Sequence, residues 1–211
     1  MNMKAQVWWA VGAAVGMTSS AFAQTVIYDN STTALGSYFS ATGEFGDDIY
    51  TSGGLATGFH FEIFKDGVAP GATATVRFYA NDGAAVVGGG GSFASPGTLL
   101  WTSSAIDLLN GGDTGVQAIS IDLNGLGVNV PAAMTWTIEG SGLGAGTLGL
   151  SLYNPPTTGS SFADAWSNVG GSWTLVQGTD PLNFGATLVP EPGALTLLGL
   201  GALALFLRRR N

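Results

Sequence analysis

Five segments of the chain alternate apolar and polar side chains with a strict period of two. Phe59, Phe61 and Ile63 enclose His60 and Glu62, and Val76, Phe78 and Ala80 enclose Arg77 and Tyr79. The same pattern places Ile119, Ile121 and Leu123 around Ser120 and Asp122, and Met134, Trp136 and Ile138 around Thr135 and Thr137. Leu148, Leu150 and Leu152 repeat it around Gly149 and Ser151. Successive side chains of a strand point to opposite faces, so each segment predicts a strand with one buried and one wet face. Further strands are expected at Thr25–Tyr28, Leu99–Thr102, Trp173–Val176 and Phe184–Leu188. Asn81-Asp82-Gly83, Asn110-Gly111-Gly112-Asp113 and Asn124-Gly125 supply turns between them, and Gly88 to Gly91 reads as a flexible loop tip. About nine short strands with no long helical stretch between them predict an all-β domain, a jelly-roll-like β-sandwich.

Composition agrees. Glycine supplies 34 of the 211 residues, over twice its usual share of about 7%. Charged residues make up 9%, against about 25% in an ordinary soluble domain. The 45% of hydrophobic residues is still enough for a real core. With no cysteine, disulfides, thiol catalysis and thiolate-bound metals are excluded, and a single histidine, His60, excludes a multi-histidine metal site.

The two ends carry a different kind of information. Lys4, the uncharged run Val7–Met17 and the small residues Ala21 and Ala23 form the three parts of a secretory signal, with cleavage expected before Gln24. At the other end, Val189-Pro190-Glu191-Pro192 precedes the uncharged stretch Gly193–Leu207 and then Arg208, Arg209 and Arg210. As a helix rising 1.5 Å per residue, that stretch reaches about 22 Å, short of the ~30 Å hydrocarbon core. Snorkelling arginines extend its reach, so a short transmembrane helix is expected, with the arginines on the cytoplasmic side. The expected division is a signal peptide at 1–23, an extracellular domain at 24–188 and a sorting tail at 189–211.

The order Val-Pro-Glu-Pro, short Leu/Gly/Ala helix and terminal arginine cluster resembles the PEP-CTERM sorting signal of exported bacterial proteins. The resemblance implies recognition by an exosortase, a membrane-embedded enzyme acting near Pro190-Glu191-Pro192. It implies transient anchoring in the inner membrane after signal peptidase action, then residence at the cell surface or in the extracellular matrix. That family is associated with bacteria that make extracellular polysaccharide, which becomes a candidate partner. The body resembles the uncharacterised extracellular regions often joined to such tails, through Arg77–Gly83, Val130-Pro131 with Thr135-Trp136-Thr137, and Asn154-Pro155-Pro156 through Gly159-Ser160 to Trp166 and Trp173. No activity comes with that likeness.

Between residues 24 and 190 there are thirteen acidic side chains but only two basic ones, Lys65 and Arg77. Such a surface lacks the basic footprint that phosphate contacts require, so nucleic acid is excluded as a partner. Catalytic signatures are equally sparse. No Gly-x-Ser-x-Gly elbow occurs, and Gly144–Gly149 matches Gly-x-Gly-x-x-Gly by letter but leads into a strand rather than a helix. A glycoside hydrolase needs two paired carboxylates, and Glu44, Glu62 and Glu139 are candidates by type. No spacing pairs them, and the domain is expected to be non-enzymatic with no cofactor.

Two binding roles stay open beside a purely structural one. Glu44, Asp47 and Asp48 crowd into what reads as one loop, and Asp82 and Asp113 sit in glycine turns, oxygen donors of the kind a structural calcium ion takes. The same residues are ordinary turn formers. Tyr79, Tyr153, Trp166 and Trp173 fall near expected loops or wet faces, where aromatic rings serve as platforms for sugars, while Phe78 and Trp136 belong to the core.

Overall fold

A computed structural model describes residues 26–88 and 91–191. The signal segment with Ala21, Ala23 and Gln24, and the tail from Pro192 through Arg208–Arg210, lie outside the described residues.

The described chain is all strand and turn. In chain order the strands are β1 (Tyr28–Asn30), β2 (Ala34–Phe39), β3 (Glu44–Tyr50), β4 (Gly54–Asp66), β5 (Thr73–Ala80), β6 (Ala85–Gly88), β7 (Gly91–Ala94), β8 (Leu99–Thr102) and β9 (Ile106–Asp107). They continue with β10 (Gly115–Asp122), β11 (Asn129–Val130), β12 (Ala133–Ser141), β13 (Thr147–Tyr153), β14 (Ser160–Ser161), β15 (Asp164–Val169), β16 (Ser172–Gln177) and β17 (Ala186–Pro190). The five alternating segments form β4, β5, β10, β12 and β13. The count of about nine falls short because several strands have two to four residues, too few to show a period.

Two sheets result. The first runs β1-β17-β4-β13-β2, with β10 and β11 on the other edge of β4. The second runs β16-β15-β3-β12-β5-β8, with β14 against β3 and β9 against β5. Every pairing between these strands is antiparallel, as one-sided alternation requires. The inner faces meet in an aromatic core. Phe59 of the first sheet packs edge-on against Phe78 and Trp136 of the second, each with ring centroids 5.0 Å apart. Phe61 lies 5.5 Å from Trp136, and Phe184 stands edge-on to Phe45. Each such ring, fully removed from water, stabilises the fold by ~1.5–3 kcal/mol.

The acidic segment is the main correction. Glu44, Asp47 and Asp48 do not form a loop; they belong to β3, an interior strand of the second sheet, and all three are buried. Gly46 lets β3 approach β12, because a Cβ there would overlap the Trp136 carbonyl. At the bottom of the sandwich Lys65, 1% exposed, donates to the carbonyls of Leu108 and Asn110 and to Gln117 Oε1. Three donors meet three acceptors, which makes the buried ammonium tolerable. A third small layer, the hairpin β6–β7, closes at Gly88 and Gly91 where the loop tip was expected. It folds over the second sheet, with Phe93 4.8 Å from Phe162 and Gly88 against Leu175.

Candidate functional site

The outward face of the first sheet is built by odd-and-even alternation along β4. Phe59, Phe61 and Ile63 turn inward, so His60, Glu62 and Phe64 turn outward. Register sets Ser120, Ala118 and Val116 of β10 beside them on one edge. On the other edge come Thr187 of β17, opposite His60, and Gly149 of β13, opposite Phe64. Glycine at outward positions of a sheet is costly unless something else uses the space. Here two rings use it. Tyr38 of β2 leans across Gly149 and stacks on Phe64 with ring centroids 3.7 Å apart, and Tyr153 lies on Gly185. A Cβ at either glycine would strike the ring above it.

Two adjoining cavities of about 210 and 270 Å3 run along this face and share Glu62 and Tyr153. The Tyr153 hydroxyl donates to Glu62 Oε1 at 3.2 Å, fixing the partition between them. One cavity is polar-edged, with His60 Nδ1 and Ser120 Oγ 2.9 Å apart. The other is aromatic, floored by Tyr38 and Phe64. A larger surface hollow of about 510 Å3, lined by Thr42, Gly43, Gly144 and Thr147 among others, carries no charged side chain.

The outward face of the second sheet is filled rather than open. Glu44 accepts hydrogen bonds from Tyr79 Oη at 3.0 Å and from Thr137 Oγ1. Arg77 Nη1 reaches Glu44 at 3.3 Å and Glu139 at 2.8 Å, and Glu139 faces Glu44 directly across β3 and β12. Asp48 accepts from Asn81 at 2.8 Å, and Asn81 in turn accepts from Thr135. Burial, with the nearby Asp164 adding to it, pushes the Asp48 carboxyl up to about 6. Asp47 points the other way, into the core, where Ser161 Oγ and the Phe184 amide donate to it at 2.7 and 3.1 Å. Full burial holds its carboxyl well above the ordinary range. Glu44, Asp47 and Asp48 thus face opposite sides of one strand instead of converging. Among the described residues no group of three or more His, Asp or Glu side chains is placed to hold a metal ion.

The four aromatic residues that the sequence points to also divide. Tyr153 belongs to the open face of the first sheet. Tyr79, Trp173 and Trp166 form a chain on the second sheet, with centroids 5.7 Å apart for the first pair and 6.4 Å for the second. Trp166 is not on a wet surface. It is fully buried, because its cross-strand neighbour Leu175 lies under the hairpin β6–β7 and Trp173 closes its side. Tyr38 and Phe64, which floor the aromatic cavity, have no signature in the sequence, because β2 (Ala-Leu-Gly-Ser-Tyr-Phe) shows no alternation. The outward glycines Gly149 and Gly185 are the signal that points to their partners.

The last strand carries the start of the Val-Pro-Glu-Pro segment into the sheet. Leu188 is buried, and Val189 and Pro190 extend β17 along β4. A register shift between Val189 and Pro190 accommodates the residue that has no N–H to give. Thr57 Oγ1 donates to the Pro190 carbonyl at 3.0 Å, and the Glu191 amide donates to Leu55 O at 2.8 Å.

Residues 188–210 match the PEP-CTERM protein-sorting motif. No curated protein and no solved structure matches the chain. The chain is thus similar over its last part to sorted, exported proteins, and that part is joined to an all-β body of two separate sheets. An exported or surface fate and processing by an exosortase are consistent with this pairing.

Proposed function

We propose that the protein is an exported surface or matrix component whose β-sandwich acts without catalysis. Signal peptidase removes residues 1–23, and the tail 189–211 holds the body at the inner membrane as a short span until an exosortase acts near Pro190-Glu191-Pro192. The observation that carries this reading is the sorting-motif match at 188–210, continuous with the final strand of the body. The non-catalytic part is supported by the state of the acids. Glu44 and Glu139 are tied by one arginine, and Glu62 lies on the opposite sheet.

The test replaces Pro190, Glu191 and Pro192 with alanine in a host that contains an exosortase. The tail-bearing form should accumulate in membranes, read by intact mass, while the parent is trimmed. Trimming and release of the variant like the parent refutes the sorting reading. Replacing Arg208–Arg210 with glutamate should misorient the chain.

A carbohydrate-binding module is the second reading, favoured by one observation: the open, ring-lined face of the first sheet. A calcium-stabilised body is not favoured by the geometry at Glu44, Asp47 and Asp48.

A further inference from the structure

We infer that the outward face of the first sheet is a binding site for an uncharged pyranose polysaccharide, held across Tyr38, Phe64, Glu62, Tyr153 and His60. The inference rests on the carbohydrate-binding reading above and gives it a place and a ligand class.

Three features point there. The first is shape. The two cavities follow one another along β4, the first between β10 and the start of β17 at His60 and Glu62, the second reaching from β10 over β4 and β13 to β2 at Glu62 and Phe64. At about 3.3 Å per residue, His60 to Phe64 spans about 13 Å, so the face is a track rather than a pit. A track of that kind admits a polymer whose ends extend past it.

The second is chemistry. A pyranose ring is apolar on its C–H faces and polar around its rim. Tyr38, 46% exposed, and Phe64 offer apolar surface, while Glu62, His60 and Ser120 offer acceptors and donors to hydroxyls at the rim. Gly149 and Gly185 keep the rings pressed on the sheet, so the platform is formed before any ligand arrives. Preorganised rings lose little freedom on binding.

The third is charge. A uronate or phosphate polymer needs a cation, and the described body has its two basic side chains committed elsewhere. Lys65 is buried and capped by three acceptors, and Arg77 sits on the other sheet between Glu44 and Glu139. Glu62 on the track itself repels anions. The ligand is therefore neutral.

Affinity electrophoresis tests this with the full chain in a polyoxyethylene detergent, which has no sugar headgroup to compete. Gels are cast with hydroxyethylcellulose, dextran, galactomannan or arabinoxylan as neutral probes, and with alginate as the anionic one. Retardation by at least one neutral probe and not by alginate is the expected result. Tyr38→Ala should weaken it about tenfold or more, as loss of a central ring does at other interfaces. Val116→Arg, at a position 61% exposed on the rim, should do the same without touching the core. Val169→Ala, equally exposed on the second sheet, should leave retardation unchanged. No retardation of the parent by any neutral probe overturns the carbohydrate reading as a whole. Retardation unchanged in both Tyr38→Ala and Val116→Arg overturns this site alone. Preference for alginate overturns the neutral ligand class. Tail processing, scored separately, is indifferent to all three outcomes.

Discussion

Replacing Asp48 with asparagine should make the protein more stable at neutral pH, although it removes a buried charged group with a hydrogen-bond partner. The reason lies in what surrounds it. Asp48 is 5% exposed on the second sheet, with Asn81 donating to it and the Asp164 charge close by. Its carboxyl rises from the ordinary 3.8 to about 6, burial being the largest cause. Between those two values the folded protein holds a proton that the unfolded chain has released, so stability falls as pH rises through this window. At 1.36 kcal/mol per pH unit, the loss by pH 7 comes to about 3 kcal/mol. Asparagine resembles the protonated carboxyl at every pH and keeps an oxygen for Asn81. Asp48→Asn should therefore gain up to about 3 kcal/mol at pH 7, or about 6–12 °C in Tm for a domain of this size. Below pH 4 the gain should vanish. Thermal melts followed by circular dichroism at pH 4, 5, 6 and 7 measure both quantities. A variant no more stable than the parent at pH 7, or one whose advantage is the same at pH 4, refutes the reasoning.

Lys65→Met should cost about 2–4 kcal/mol in urea denaturation, because the stem is replaced but two carbonyls and Gln117 lose their donor. Gly46→Ala should cost about 3 kcal/mol or more by the same assay, since its Cβ would drive β3 away from the Trp136 carbonyl. A Gly46→Ala protein with parental stability would show that β3 and β12 are not held so close.

Strands with one wet face are legible in the amino-acid order alone. β4, β5, β10, β12 and β13 announce themselves because Phe59, Val76, Ile119, Trp136 and Leu150 each sit in a run of alternating neighbours. β3 hides for the opposite reason. It is covered on both faces yet carries acids on both, Asp47 toward the core and Glu44 and Asp48 toward Arg77, Tyr79 and Asn81. Three acids and a glycine in seven residues look like a turn, and only the assembled sheets bring those carboxyls their donors, from β5 and the turn after it, β12, β14 and the Phe184 amide. The candidate site is half legible. Alternation places Tyr153, His60 and Glu62 near a wet face, but the glycine seats and Tyr38 depend on which strands lie side by side, a long-range fact that no local period encodes.

The tail leaves the body from a strand with neighbours on both sides, β17 between β1 and β4. A protein still held by its tail while the open face of the same sheet holds a polymer would feel tension along that strand. The load would run parallel to β17, shearing the ladder so that its hydrogen bonds share the force instead of opening one after another. Rupture under such a load is governed by the unfolding rate rather than by equilibrium stability. The Thr57 contact at the strand's last residue, Pro190, and the Leu55 contact at Glu191 just beyond it would be first to bear it. Under the proposed anchoring, the strand would then serve as a mechanical fastening until the tail is removed.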